Sequence, residues 1–264
     1  MDAGADGAPA APARAVEAVT VQFHPDWPHG GSTVVASLAA DGRYRSQFVT
    51  GVSNGGLTAF PGGDRWRWES RLFAGRYDKA PPGDRPVYGA WNRHADPYGG
   101  AVRFGSSYLR LRPEVVTRST FCFPDSVLEP DPADVGEADL LPRLCAMADA
   151  SGLDPLDDCV EAHVHGPLSL ADDVEALVLD PCYAGTEVSG IAAKQGWPVE
   201  LHPGFRAAAD DLDPAYRGAH VVDLARRLGG ELTPAVLGRA ARSGDHPPQT
   251  VKQLWHCLAR FGRG

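Results

Sequence analysis

The run CVEAHVHGP, Cys159 to Pro167, constrains this chain more than any other stretch. Apolar residues alternate there with Glu161, His163 and His165, and a period of two puts the carboxylate and both imidazoles on one face of a strand. After Gly166-Pro167 the chain returns through Val174, Leu177 and Leu179. One face of such a strand needs an apolar core behind it. The other carries a carboxylate that is costly to bury, so it must meet water, a partner or a reacting group. The plain alternative is an edge strand with a solvated polar face.

The chain has 264 residues, 43% of them hydrophobic, enough for one large domain or two small ones. Its 25 basic and 34 acidic residues leave a net charge of -9, which argues against duplex nucleic acid as the main partner. Five cysteines (Cys122, Cys145, Cys159, Cys182, Cys257) include no C-x-x-C pair, so a disulfide framework or zinc ribbon is not expected and a cytoplasmic location is. No apolar run reaches the roughly 18 residues of a membrane span. Residues 1–14 are small, Pro-bearing and charge-interrupted, which predicts a disordered lead-in.

The rest reads as α+β. AVTVQFHPD predicts a first strand ending at His24, and STVVASLAADG a short helix between Ser32 and Gly42. RYRSQFVTG alternates as a strand and leads into a turn-rich loop. RWRWESRLF reads as a short helix or aromatic-studded loop, and residues 101–123 as two core strands broken near Pro113. DLLPRLCAMADASG reads as a helix and WPVELHPGF as a further strand, and the chain closes in helices that begin near Pro and end at Gly. The strands are not separated by regular helices, which disfavours a doubly wound sheet or a (β/α)₈ barrel.

Several polar residues fall at strand ends or glycine-rich turns, where a site is easily built. They are His24; Arg45 and Ser46, with Ser53, Asn54 and Gly55 in the following loop; Tyr88; and Arg118, Ser119 and Thr120. The loop glycines let backbone approach a ligand closely.

The segments FHPD, YRSQFVTGVSNGGLTAFPGG, RPVYGAWN, FGSSYLRL, TRSTF and EAHVHGPLSLADDVEALVLD resemble a bacterial family known as domain of unknown function 3626, over 15–123 and 158–182. Their order is also remotely similar to the ADP-ribosyltransferase superfamily. That resemblance implies a split antiparallel β-sheet core over 15–205, with a helical C-terminal extension over 206–264. It implies that NAD is the substrate and that Glu161 is the catalytic carboxylate. It further implies that His24 or Arg45 holds the NAD ribose or phosphate, that Ser119 and Thr120 match a Ser-Thr element, and that Tyr88 stacks on nicotinamide. Ser46, Ser53, Asn54, Gly55, Arg118 and His163 complete the implied NAD-binding set. The acceptor of ADP-ribose would be a protein, a small molecule or water. Two departures stand out: about a hundred residues follow Glu161, and Glu161-Ala162-His163 replaces the Glu-x-Glu of arginine-modifying members.

The chemistry suits these residues. Breaking the nicotinamide–ribose bond passes through an oxocarbenium-like state, which one fixed carboxylate stabilises as charge develops. Because nicotinamide leaves neutral, little acid catalysis is required. Two other readings compete. One is a metal-dependent hydrolase using His163-x-His165, with ligands drawn from His24, His202, His220 or Asp180. The other is a catalytically inactive NAD- or protein-binding module.

Overall fold

The computed structural model describes residues 10–51 and 58–264. Nine strands make one sheet: β1 (Ala11–Pro12), β2 (Val19–Phe23), β3 (Val87–Trp91), β4 (Ser107–Leu111), β5 (Ser119–Cys122), β6 (Val135–Gly136), β7 (Val160–Val164), β8 (Val174–Leu179) and β9 (Val199–Leu201). Their spatial order is β1-β9-β8-β4-β2-β3-β7-β5-β6. The main helices are α1 (Val34–Asp41), α2 (Asp64–Leu72), α3 (Leu141–Asp149), α4 (Glu187–Gln195), α5 (Ala219–Arg227), α6 (Pro234–Ser243) and α7 (Pro248–Phe261). None is long and apolar enough to cross a membrane.

The α+β class holds. The sheet is continuous rather than a split pair, because β2 bonds to β3 on one side and to β4 on the other. It is also mixed: β9 runs parallel to both β8 and β1. Helix α4 supplies the crossover that a parallel β8–β9 pair needs. One βαβ unit therefore sits at the edge of an otherwise antiparallel sheet. Of the predicted lead-in, residues 1–9 lie outside the described residues, while Ala11 and Pro12 form the edge strand on β9.

Local signals explain most boundaries. Thr33, rather than Ser32, caps α1 by accepting a hydrogen bond from Ala36 N, and Gly42 ends it at a φ of 63°. The alternation in RYRSQFVTG misleads. Only Arg43–Tyr44 is extended, in a ribbon with Leu168–Ser169, and Gln47–Thr50 closes into a helical turn. Those residues have no neighbour in the main sheet to hold them extended.

The register divides the sheet into two unlike faces. Val19, Val21, Phe23, Leu109, Leu111, Phe121, Val160, Ala162 and Val164 point to one side, into a core shared with α1, α3 and α4. On the other side a single rung runs Ala176–Arg110–Thr20–Ala90–Glu161–Cys122, through successive strand pairings. The C-terminal helices close part of this second face with their own apolar cluster, which includes Tyr98, Val102 and Leu156 from earlier in the chain. Trp255 of α7 joins the two parts. Its Nε1 donates to the carbonyls of Val102 (3.1 Å) and Arg103 (3.0 Å), and its ring meets His24 edge-on at 4.8 Å.

This junction has a pH consequence. Burial, aided by the charge of His256, lowers the His24 pKa to about 3; burial also lowers that of His256 to about 3, helped by nearby Arg103, Arg217 and Lys252. Both rings stay neutral in the fold, whereas in the unfolded chain they take protons near 6.5. Stability is therefore whole above that value and falls with acidification, each histidine withdrawing ~1.4 kcal/mol per pH unit. Asp125, whose pKa burial and the Glu161 charge raise to about 6, works in the opposite sense. Urea unfolding of His256→Gln between pH 6 and 5 should show a slope flatter than wild type by about one proton; equal slopes would show that His256 is charged in the fold.

Candidate active site

Glu161 sits at the centre of the second face, between Ala90 of β3 and Cys122 of β5. Its side chain is only 11% exposed, so its charge needs partners. Ser126 provides two, its hydroxyl and its backbone N–H (3.3 Å), both donated to Oε1. His163 Nε2, at 2.9 Å, provides a third. Burial alone would raise the pKa of Glu161. The His163 and Ser126 hydrogen bonds, with the positive field of Arg65, outweigh it and hold the carboxyl below its ordinary value. Glu161 is a buried, ionised carboxylate.

A carboxylate only accepts, and that sets the direction of a longer chain. His163 Nε2–H donates to Glu161; in the neutral tautomer this leaves Nδ1 to accept from the Thr120 hydroxyl at 3.1 Å. Thr120 in turn accepts from His165 Nε2 at 2.9 Å, and His165 Nδ1 accepts from the Tyr77 hydroxyl at 2.5 Å. Burial, with the charges around it, lowers the His165 pKa to about 4, in keeping with a neutral ring. The two imidazoles thus share one hydroxyl and fix one another's tautomers.

Helix α2 covers this assembly with Arg65, Trp68, Glu69 and Leu72, a spacing that forms one helical face. Glu69 is fully buried; Arg85 donates to it at 2.6 Å and the Tyr88 hydroxyl at 3.1 Å. Burial pushes the Glu69 pKa up against the pull of Arg85. Arg65 lies over the Tyr88 ring at 4.4 Å, and its Nε and Nη1 are buried with no hydrogen-bond partner among the described residues.

Beside Glu161 opens a cleft of about 180 Å³, more than ten times what one water needs. Its lining includes His24, Trp27, Arg45, Ser46, Arg65 and Tyr88. The structure therefore brings five predicted residues (His24, Arg45, Ser46, Tyr88 and Glu161) to one cavity. Thr120 and His163 lie behind Glu161 and support it. Arg45 is tied to Asp41 at 2.6 Å, and Ser46 donates to the Pro82 carbonyl at 2.6 Å. His24 stacks on Trp27 at 4.0 Å.

Other expectations need correction. Arg118 and Ser119 do not reach the cleft. Ser119 pairs with Val164 and so faces the apolar core, where its hydroxyl donates to the Val115 carbonyl at 2.8 Å. Arg118 lies in the helical turn before β5 and binds the His165 carbonyl (2.7 Å) and Asp173 (2.8 Å). Tyr88 has one ring face under Arg65 and its hydroxyl on Glu69, so it backs the cleft instead of offering a stacking surface. The further ligands considered for a His163-x-His165 metal site are scattered. His202 and Asp180 bind backbone around Ser106 and Phe205, His220 pairs with Gln253, and His24 packs between tryptophans. Ser53, Asn54 and Gly55 lie outside the described residues.

The sequence reading missed Arg65, Trp27, Gln47, Ser126 and Cys122. For Arg65 a signal exists: RWRWESRLF carries charges at the helical spacing that a core stripe would occupy. Three of the missed residues both line the cleft and hold buried atoms with no hydrogen-bond partner among the described residues. Arg65 Nε and Nη1 and Trp27 Nε1 are donors; Gln47 Oε1 is an acceptor. Each such atom costs about 1–3 kcal/mol while it stays unpaired.

The chain matches the family described as Protein of unknown function (DUF3626), over residues 18–147 and 140–261. It belongs to that family. Both Glu161 and His24 fall within the matched stretches. No curated protein matches the chain.

Of the two buried carboxylates, the geometry makes Glu69 weigh more on stability than Glu161. Arg85→Ala strands Glu69 as an uncompensated buried charge and should cost about 3–5 kcal/mol in urea unfolding. Glu161→Gln keeps an acceptor for Ser126 and should cost under about 1.5 kcal/mol. A larger loss for Glu161→Gln than for Arg85→Ala would reverse this order.

Proposed function

We propose that this protein cleaves the nicotinamide–ribose bond of NAD and passes ADP-ribose to an acceptor, or to water where none is bound. One observation carries this reading: a buried, ionised Glu161 borders a cleft that is also lined by Arg65 and Trp27. The only other carboxylate lining the cleft among the described residues is Asp41, which is exposed and bound to Arg45. A site with one buried carboxylate suits a leaving group that departs neutral, since ordinary glycoside hydrolysis needs a second carboxyl as acid.

The roles follow from the geometry. Glu161 stabilises positive charge as it develops on the ribose, and it is pre-set for this because Ser126 and His163 already hold it ionised. The ordered chain through Thr120, His165 and Tyr77 keeps the His163 ring from turning away. Arg65, a lining residue of the cleft, supplies positive charge for phosphate oxygens, and it must turn its buried Nε and Nη1 outward to pair with them. His24, neutral and stacked on Trp27, contributes shape and a hydrogen bond without adding charge.

Incubation with NAD should release nicotinamide, measured by chromatography. Glu161→Gln should lower the rate about a thousandfold with the fold retained. Arg65→Gln should raise KM at least about tenfold, with a smaller effect on kcat, as expected when one charged contact to the substrate is lost. Nicotinamide release that survives in Glu161→Gln would refute the assignment.

A further inference from the structure

The face beneath the cleft brings together a thiol, a carboxylate and an imidazole. Cys122 Sγ lies 3.8 Å from His163 Nε2 and 3.9 Å from Glu161 Oε1, and the last two are 2.9 Å apart. All three residues are buried, and among the described residues they are the one such His/Cys/carboxylate group. We propose that Cys122, Glu161 and His163 form a binding site for a divalent transition metal of the zinc class.

The triangle is close to what such an ion requires. Bonds of about 2.0–2.3 Å at tetrahedral angles put nitrogen and oxygen roughly 3.4 Å apart, and sulfur roughly 3.6 Å from either. The observed edges differ from these by about half an ångström or less. The ligands stand on neighbouring strands, Cys122 directly across from Glu161 in the register, so little backbone adjustment is involved. A soft thiolate beside an imidazole selects zinc-like ions over magnesium or calcium. Entry is provided by Glu161, which borders the cleft.

The surroundings already hold the second layer that metal-bound histidines require. A ligating imidazole donates its other N–H to a fixed acceptor, and Thr120 Oγ1 stands at 3.1 Å from His163 Nδ1. Binding would reverse the hydrogen-bond chain. His163 Nδ1–H would donate to Thr120, Thr120 to His165 Nε2, and His165 Nδ1–H to the Tyr77 hydroxyl. The Cys122 thiol proton passes to solvent as the metal–sulfur bond forms; the proton displaced from His163 Nε2 leaves as well, and Tyr77 takes one up from solvent after passing its own to His165, so the net release is one proton. His165 takes no part as a ligand, because both its nitrogens are committed to Thr120 and Tyr77. One consequence rests on the reading of Glu161 as the catalytic carboxylate: a bound metal occupies that oxygen, and turnover stops.

Anaerobic titration of the reduced full-length protein with cobalt(II) tests the site directly. One equivalent should bind with a thiolate-to-cobalt charge-transfer band that zinc displaces. Cys122→Ser should lose the band. Thr120→Val should keep it but weaken binding roughly tenfold to a hundredfold. Absence of the band in wild type, or its persistence in Cys122→Ser, overturns the proposal whatever happens with NAD. In the NAD assay, zinc should slow nicotinamide release at least about tenfold, restored by chelation; undiminished release with the site loaded overturns the regulatory consequence. If cobalt binds as described and NAD is never cleaved, the metal site stands and the NAD reading fails.

Discussion

The burial of one negative charge organises this molecule. Moving a carboxylate from water into a protein interior costs several kcal/mol unless its oxygens are bonded. Glu161 meets that requirement with donors from two directions: Ser126 from the turn after β5, and His163 two residues along its own strand. His163 is itself held by Thr120, and Thr120 by His165, so the cost of one charge draws in residues from two strands. Tyr77, just beyond α2, ends the line. The same arrangement leaves Glu161 facing a cleft with its geometry already set.

A second consequence concerns the faces of the sheet. The apolar face packs without conditions, but the other carries Arg110, Thr20, Gln22 and Glu161 and must be covered piece by piece. Glu175 and Glu200 satisfy Arg110 near the β9 edge. Helix α2 covers the strands around Glu161 through the Glu69–Arg85 pair, and the C-terminal helices close the neighbouring region through Trp255. The cleft lies where these covers leave a gap. Arg65, Trp27 and Gln47 line it, and each holds a buried polar atom with no hydrogen-bond partner among the described residues.

Much of this was legible in the chain. The period of two in CVEAHVH fixed which side chains share a face, and the structure keeps Glu161, His163 and His165 together for that reason. His24 was readable as a strand-end residue. RYRSQFVTG misled because alternation describes a strand only where a neighbouring strand is present to bond it. The TRSTF segment misled in another way: the strand starts at Ser119, and the period of two then sends Ser119 to the core and Thr120 to the site. A shift of one residue decides which of two adjacent hydroxyls stands beside His163 and which faces the core.

By itself the sequence determined the α+β class, the punctuation of strands and helices by Gly and Pro, and the facing of the carboxylate strand, all of them set by contacts within a few residues. Only the tertiary structure decided that Cys122 lies across from Glu161, that Arg65 arrives over Tyr88, and that the C-terminal helices close the polar face. Those pairings join residues tens to hundreds of positions apart. Their energy comes from burying apolar surface and satisfying polar groups throughout the fold, and no local pattern encodes which distant partner will be used.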